Sequence, residues 1–250
     1  MMVIGADVLE LPNESDWELD DFVPLPHFSQ HPSLADLTSR LTKGVDFCLG
    51  DKKLDCLVVA SGGWQMDPTP PPPQATHFDI QEAARIHGEA METMMRMNYY
   101  PVAAAGYVAQ QYMGMQGLFV VIGATAALSP TPGMLGYGVS KAAAHHFVQT
   151  LGATTGLSVS TKSLREQGRK VRRHAEYLDS LTVVGILPTM LDTATNRAAN
   201  PNLDLDQCTK PLEIAKEIGT WLSSPPLRPH SGSLIKVFTN PEGTQFHLVR

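Results

Sequence analysis

Apolar positions along the chain alternate between short continuous runs and stretches of helical period. Residues Met2 to Leu9 read as a buried strand that ends near Asp7, followed by an acidic, turn-like segment over 10–20. Phe22 to Leu25 is a second short strand, and Pro24 within it favours an edge position. Pro32-Ser33 opens a helix whose apolar face is Leu34, Leu37, Leu41, Val45 and Cys48. Lys53 to Ala60 is a near-continuous apolar strand of the kind covered on both faces in a parallel sheet. Pro68 to Pro73 carries five prolines and reads as a stiff loop. Asp79 to Tyr112 is helical, with Gly88 and Pro101 as expected breaks. Gly117 to Gly123 is a strand, and a helix containing Tyr137 runs to about Gly152. Leu181 to Leu187 is a strand stopped by Pro188, Thr209 is the expected cap of a helix over Pro211 to Ser223, and Ser233 to Phe238 is the last strand. This alternation predicts one α/β domain spanning 1–250, a doubly wound parallel sheet with helices on both faces. Residues 156–180, with the run Arg169 to Arg173, read as a basic helical insertion, either a solvated face or a contact for an acidic partner.

Composition narrows the functional classes. A net charge of -6 argues against general nucleic-acid binding, and 43% hydrophobic with 18% charged residues is globular. No apolar run reaches the roughly 18 residues of a membrane helix. Cys48, Cys56 and Cys208 are far apart, which predicts reduced thiols, a cytoplasmic location and no metal site. His145 and His146 are adjacent, so on a helix they face different ways and do not make a metal pair.

Open parallel sheets bind ligands beyond the carboxyl ends of their strands. Asp7, Ser61 to Trp64, Gly123 to Thr125 and Pro188-Thr189 all fall there. A carboxylate at Asp7 could hold the hydroxyls of an adenosine ribose and repel a 2′-phosphate, favouring NAD over NADP; it could equally only make a turn. Gly62 and Gly63 leave a strand exit bare of side chains, as a ligand approach or a turn would require. Trp64 either packs on an aromatic ligand or seals the core. Asn98, a poor residue for the middle of a helix, either serves the site or caps a bend before Pro101. Tyr137 and Lys141 are one helical turn apart and share a face. A nearby ammonium lowers a phenol's pKa and makes it a usable proton donor. On an ordinary helix the same spacing is surface decoration.

The order strand–Gly-Gly, strand–Gly-Ala-Thr, Tyr137-x-x-x-Lys141, strand–Pro188 resembles the short-chain dehydrogenase/reductase family. Val59 to Trp64, Thr131 to Gly138, Leu187 to Thr193 with Asn196-Arg197, and Ser231 to Ile235 resemble, within it, the dihydropteridine reductases. The resemblance implies reduction of a quinonoid dihydropterin by NADH, with NADPH less favoured, in a homodimer. It implies that Tyr137 donates or orients a proton and that Lys141 depresses the Tyr137 pKa and binds the nicotinamide ribose. Asp7, Gly62, Gly63, Gly123, Thr189 and Thr193 would line the cofactor, and Trp64 and Asn196 the pterin. Ala124 stands where the wider family has a serine, which the dihydropteridine reductases also lack. The dimer helices would be those over 79–112 and 137–152, packed through Ala103 to Gly106 and Ala142 to Ala144, unless those small faces pack inside the subunit.

The family pattern places a strand, a glycine-rich turn and a helix ahead of the strand ending in Asp7, and no such segment precedes Asp7 here. The expected fold is therefore a Rossmann-like sheet truncated at its amino terminus, with its central strand missing between the Asp7 strand and the 54–60 strand. Three outcomes are open: a longer natural chain, direct pairing of those two strands, or a non-catalytic relative. The chain beginning at Met1 is expected to bind NADH poorly.

Overall fold

The computed structural model describes residues 2–8, 19–155 and 180–249. The expected basic insertion falls almost wholly on 156–179, outside the described residues. The main sheet holds β3 (Leu54–Val59), β4 (Met113–Ile122), β5 (Thr182–Pro188), β6 (Ser233–Asn240) and β7 (Gly243–Leu248), hydrogen-bonded in that order. The first four strands are parallel. β7 is antiparallel to β6 and was not foreseen, because Gly243 to Leu248 is too polar to read as a buried strand.

Strand pleating explains the two-sided core. Successive side chains point to opposite faces, so an apolar run fills both. Phe119, Val121, Val183 and Leu187 join one buried cluster, with residues of α1 (Leu34–Leu49), α3 (Tyr100–Tyr112) and α4 (Leu135–Thr155). Leu118, Val120, Val184 and Ile186 join the other, with Ile214 and Trp221 of α6 (Pro211–Ser223). Helices on both faces make the sheet doubly wound, as its sequence pattern predicts.

Local chemistry sets the helix ends. Ser33 and Asp36 form a capping box on α1, and Thr76 and Asp79 form one on α2 (His77–Asn98). α2 therefore begins two residues before Asp79, and Gly88 does not interrupt it. The break falls at Tyr99, with Pro101 in the first turn of α3, where its missing N–H costs nothing. Thr209 does not cap α6: Lys210 occupies that place, and Pro211 opens the helix. Thr209 is instead fully buried and shares a hydrogen bond with the Thr239 hydroxyl at 3.0 Å. The first small face and Ala144 serve the subunit interior, whereas Ala142 is exposed. Ala104, Ala105 and Ala144 are buried, and a Cβ on Gly106 would lie 2.4 Å from the Phe147 ring.

The amino-terminal strands depart furthest from expectation. β1 (Ile4–Asp7) pairs in parallel with β2 (Asp21–Pro24) in a two-stranded sheet of their own. β1 does not close on β3, so direct pairing of those two strands is not the outcome here. Pro24 lies opposite Asp7, in an edge strand as expected. β3 is an edge of the main sheet, and this corrects its reading as a strand buried on both faces: Val58 is 42% exposed. Among the described residues no strand lies on the outer side of β3, so it also lacks the cover that such a neighbour's side chains and crossover helix provide.

Candidate active site

The site forms where β3 and β4 end against α2 and α4. Lys141, nearly two turns into α4, is only 6% exposed and donates from Nζ to the carbonyl of Ile122, the last residue of β4, at 3.1 Å. Burial pulls its pKa from 10.5 down to about 8. Beyond β3, Gly62 accepts the approach of two polar groups: a Cβ there would lie 2.7 Å from both Lys141 Nζ and Asn98 Oδ1. Only glycine leaves room for that convergence.

Asn98 ends α2 with its side chain buried, and it ties three elements together. Its Oδ1 accepts from the Gly63 N–H at 3.0 Å, and its Nδ2 donates to Ser140 Oγ at 3.0 Å. Ser140 in turn donates to the Tyr137 carbonyl at 2.9 Å. The asparagine is thus a brace between the β3 exit and α4, not a cap for the bend.

Tyr137 is half-buried, and its phenol pKa is raised by burial. The expected depression by Lys141 is not the net effect here, because loss of water around the phenol prevails and the lysine is engaged with Ile122. Four residues beyond Lys141, His145 is buried and its Nε2 accepts from the Ala124 N–H at 3.2 Å. Burial first, then the Lys141 charge, lower its pKa to about 4. A Cβ on Gly123 would lie 2.4 Å from that Nε2, so Gly123 is small to admit the imidazole. Sequence reading missed His145 and Ser140, although i+4 spacing from Lys141 already placed His145 on the Lys141 face. His146 is exposed, as the alternation of adjacent helix residues requires.

The remaining residues ring this centre. Gly123 N–H donates to Ile186 at 2.7 Å, and Thr125 Oγ1 lies 3.3 Å from both the Pro188 carbonyl and Thr189 Oγ1. The exits of β4 and β5 are thereby joined. Thr193 caps the short helix α5 (Ala194–Ala199) by accepting from the Asn196 N–H, and Asn196 Nδ2 donates to Leu191 at 2.8 Å. These two side chains stabilise their own loop. Trp64 is 48% exposed. Asp7 lies apart from Tyr137: it and Gly62 are both in the wall of a cavity of about 390 Å³ between β1 and the β3 exit, which Arg96 also lines. Arg96 was not anticipated; it pairs with Glu92 at 2.5 Å.

No protein-family model matches the chain. A dihydropteridine reductase of Dictyostelium discoideum is 29% identical over 246 residues, covering 96% of this chain and 92% of that protein. The chain thus resembles a dihydropteridine reductase in sequence and short-chain dehydrogenases in fold. Solved structures agree on the fold. A short-chain dehydrogenase family protein from Francisella tularensis matches with a TM-score of 0.60 at 15% identity, over 94% of this chain and 85% of that one. A short-chain dehydrogenase from Burkholderia cenocepacia, in complex with NADP, matches with a TM-score of 0.52 at 19% identity, over 86% and 74%. Among the described residues, no helix is long and apolar enough to cross a membrane.

Proposed function

We propose that this chain is a dihydropteridine reductase: an NADH-dependent catalyst that reduces a quinonoid dihydropterin to the tetrahydropterin. The buried Lys141 at bare Gly62, with Tyr137 one turn before it, carries the reading, and the relationship to a dihydropteridine reductase directs it to pterins. NADH supplies the hydride when bound. The bare backbone at Gly62 fits a flat ring lying against the β3 exit, and Lys141 Nζ is placed to meet its ribose. Asp7, across the shared cavity, meets the adenosine ribose and disfavours a 2′-phosphate. Thr189 and Thr193 line the far side of the cofactor, and Trp64 and Asn196 face the pterin.

Tyr137 supplies the proton that accompanies the hydride. Its raised pKa keeps the phenol protonated at neutral pH. Lys141, with a pKa of about 8, is mostly ammonium at pH 7 and close enough to its titration to share in proton return. Ala124 offers no hydroxyl, its N–H is turned to His145, and the Thr125 hydroxyl is turned to Pro188 and Thr189, so Tyr137 has no second donor beside it to polarise an unactivated ketone. A quinonoid pterin is already electrophilic and does not need one.

Oxidation of millimolar NADH with quinonoid dihydrobiopterin, compared with simple ketones, tests the assignment. The pterin should be reduced faster, and a preference for ketones would refute it. No detectable NADH binding by calorimetry would favour a non-catalytic relative. A homodimer through α2 and α4 is part of this reading, and the mass of the protein in solution tests it.

A further inference from the structure

We propose that Asp67 is a positioning residue that fixes the Trp64–Met66 segment beside Tyr137 and so governs affinity for the pterin. This rests on the reductase reading above.

Asp67 makes two hydrogen bonds to the segment that opens α4, 66–68 residues further along the chain. Its backbone N–H donates to the Gly133 carbonyl at 2.8 Å, and its Oδ1 accepts from the Leu135 N–H at 2.7 Å. Leu135 is the first residue of α4, and its N–H has no acceptor within the helix. A carboxylate from a distant loop supplies one two residues before Tyr137. A negative charge is also favoured at a helix amino terminus. The turn it grips is itself specified: Gly133 has φ +75, and Met134 N–H donates to the Thr131 carbonyl at 3.0 Å.

The loop beyond β3 is thus held at both ends. Gly63 is tied to Asn98 at one end and Asp67 to Gly133 and Leu135 at the other. Between the ties lie Trp64, Gln65 and Met66, all exposed, with Trp64 at 48% and Met66 at 56%. Three side chains displayed between two anchors, with the prolines from Pro68 to Pro73 stiffening the chain beyond Asp67, form a strap that runs to the opening of α4, where Gln65 and Met66 share one small depression with Gly136, the residue before Tyr137. An exposed indole and thioether suit the face of a flat heteroaromatic ring. Neither Trp64 nor Met66 is held by the core, so the clamp at Asp67 sets where they stand.

The test compares Asp67→Ala, which removes the acceptor, with Asp67→Asn, whose side-chain carbonyl still accepts. In Asp67→Ala, hydrogen exchange at Leu135 and over residues 63–67 should accelerate at least tenfold. The KM for quinonoid dihydrobiopterin at millimolar NADH should rise about tenfold, the loss expected for one charge-assisted hydrogen bond. NADH affinity should stay within twofold, and Asp67→Asn should stay within threefold of the parent on every measure. A fall in thermal stability with unchanged KM in Asp67→Ala, or an equal KM rise in both variants, would overturn the proposal. If the parent prefers a ketone, the pterin assignment fails while the same KM comparison with that ketone still judges Asp67. If the parent turns over no acceptor, the reductase reading fails; unchanged exchange over 63–67 in Asp67→Ala would then overturn the clamp, and accelerated exchange would support it.

Discussion

Lowering the pH should destabilise this protein through one histidine. His145 is 5% exposed, and its neutral Nε2 accepts the Ala124 N–H. A proton on that nitrogen would break the bond, bury a charge and place it near Lys141. Its pKa accordingly falls from 6.5 to about 4 in the folded protein. The unfolded chain takes up the proton near pH 6.5 and the folded one only near pH 4. Between those values the unfolded state binds more protons, so stability falls as the pH falls. From pH 6.5 to 4.5 the linkage amounts to about 2 kcal/mol, a sizeable share of the 5–15 kcal/mol of an ordinary domain. Lys141, with its pKa near 8, stays charged across this window and does not change the sign. Urea unfolding at the two pH values measures the loss, and His145→Gln isolates it. The glutamine carbonyl can accept from Ala124 and does not titrate, while carboxylates cancel in the difference. The parent should lose about 2 kcal/mol more than the variant. Equal losses in both would refute this account of His145.

Two further substitutions separate stability from chemistry. Lys141→Met should raise stability at pH 7 by about 2 kcal/mol: relief of the buried charge is worth about 3, less about 1 for the orphaned Ile122 carbonyl. Turnover should vanish in that variant, and a less stable protein in urea titration would show that the lysine's contacts outweigh its burial. Tyr137→Phe should cut turnover at least a hundredfold, the scale of a lost general acid, with NADH affinity nearly unchanged by calorimetry. A large loss of affinity would contradict the role given to the phenol.

The parts of the fold that sequence reveals are those where one physical demand dominates. β4 and β5 must fill two faces, so their unbroken apolar runs identify them, and Ser33 with Asp36 announces a helix start through its capping chemistry. β7 was hidden because a polar hairpin strand has no such signature. The Thr209 cap failed for a related reason: a threonine before a proline suits both a cap and a buried hydroxyl pair with Thr239, and only tertiary packing decides. At the site, Tyr137, Lys141 and Gly62 were legible from spacing and strand ends. The Asn98 brace was half legible as an awkward helix residue. Asp67 could not be found, because its partners Gly133 and Leu135 are more than sixty residues away and share no periodicity with it. The direction of the Tyr137 pKa was also beyond reach, since it depends on how much water the folded loop removes.

The two halves of the site rest on unequal foundations. Lys141, Asn98, Ser140 and His145 are braced by β3, β4, α2 and α4, anchored to a five-stranded sheet whose strand β4 is buried on both faces. Asp7 stands on a two-stranded ribbon, and an isolated pair of strands has little stability of its own. What holds the ribbon is its packing on α1. Val23 is 3% exposed, and a Cβ on Gly44 would meet its side chain at 2.3 Å, while Ile4 and Leu25 lean on the same core cluster. The distance from Asp7 to Gly62 is therefore set through a helix rather than through a continuous ladder of hydrogen bonds. Under the reductase reading, perturbations of α1 should reach the adenosine end of a bound dinucleotide and leave Tyr137 and Lys141 in place. On the proposed reading, cofactor affinity and proton transfer should be separable, because different layers of the fold hold Asp7 and Tyr137.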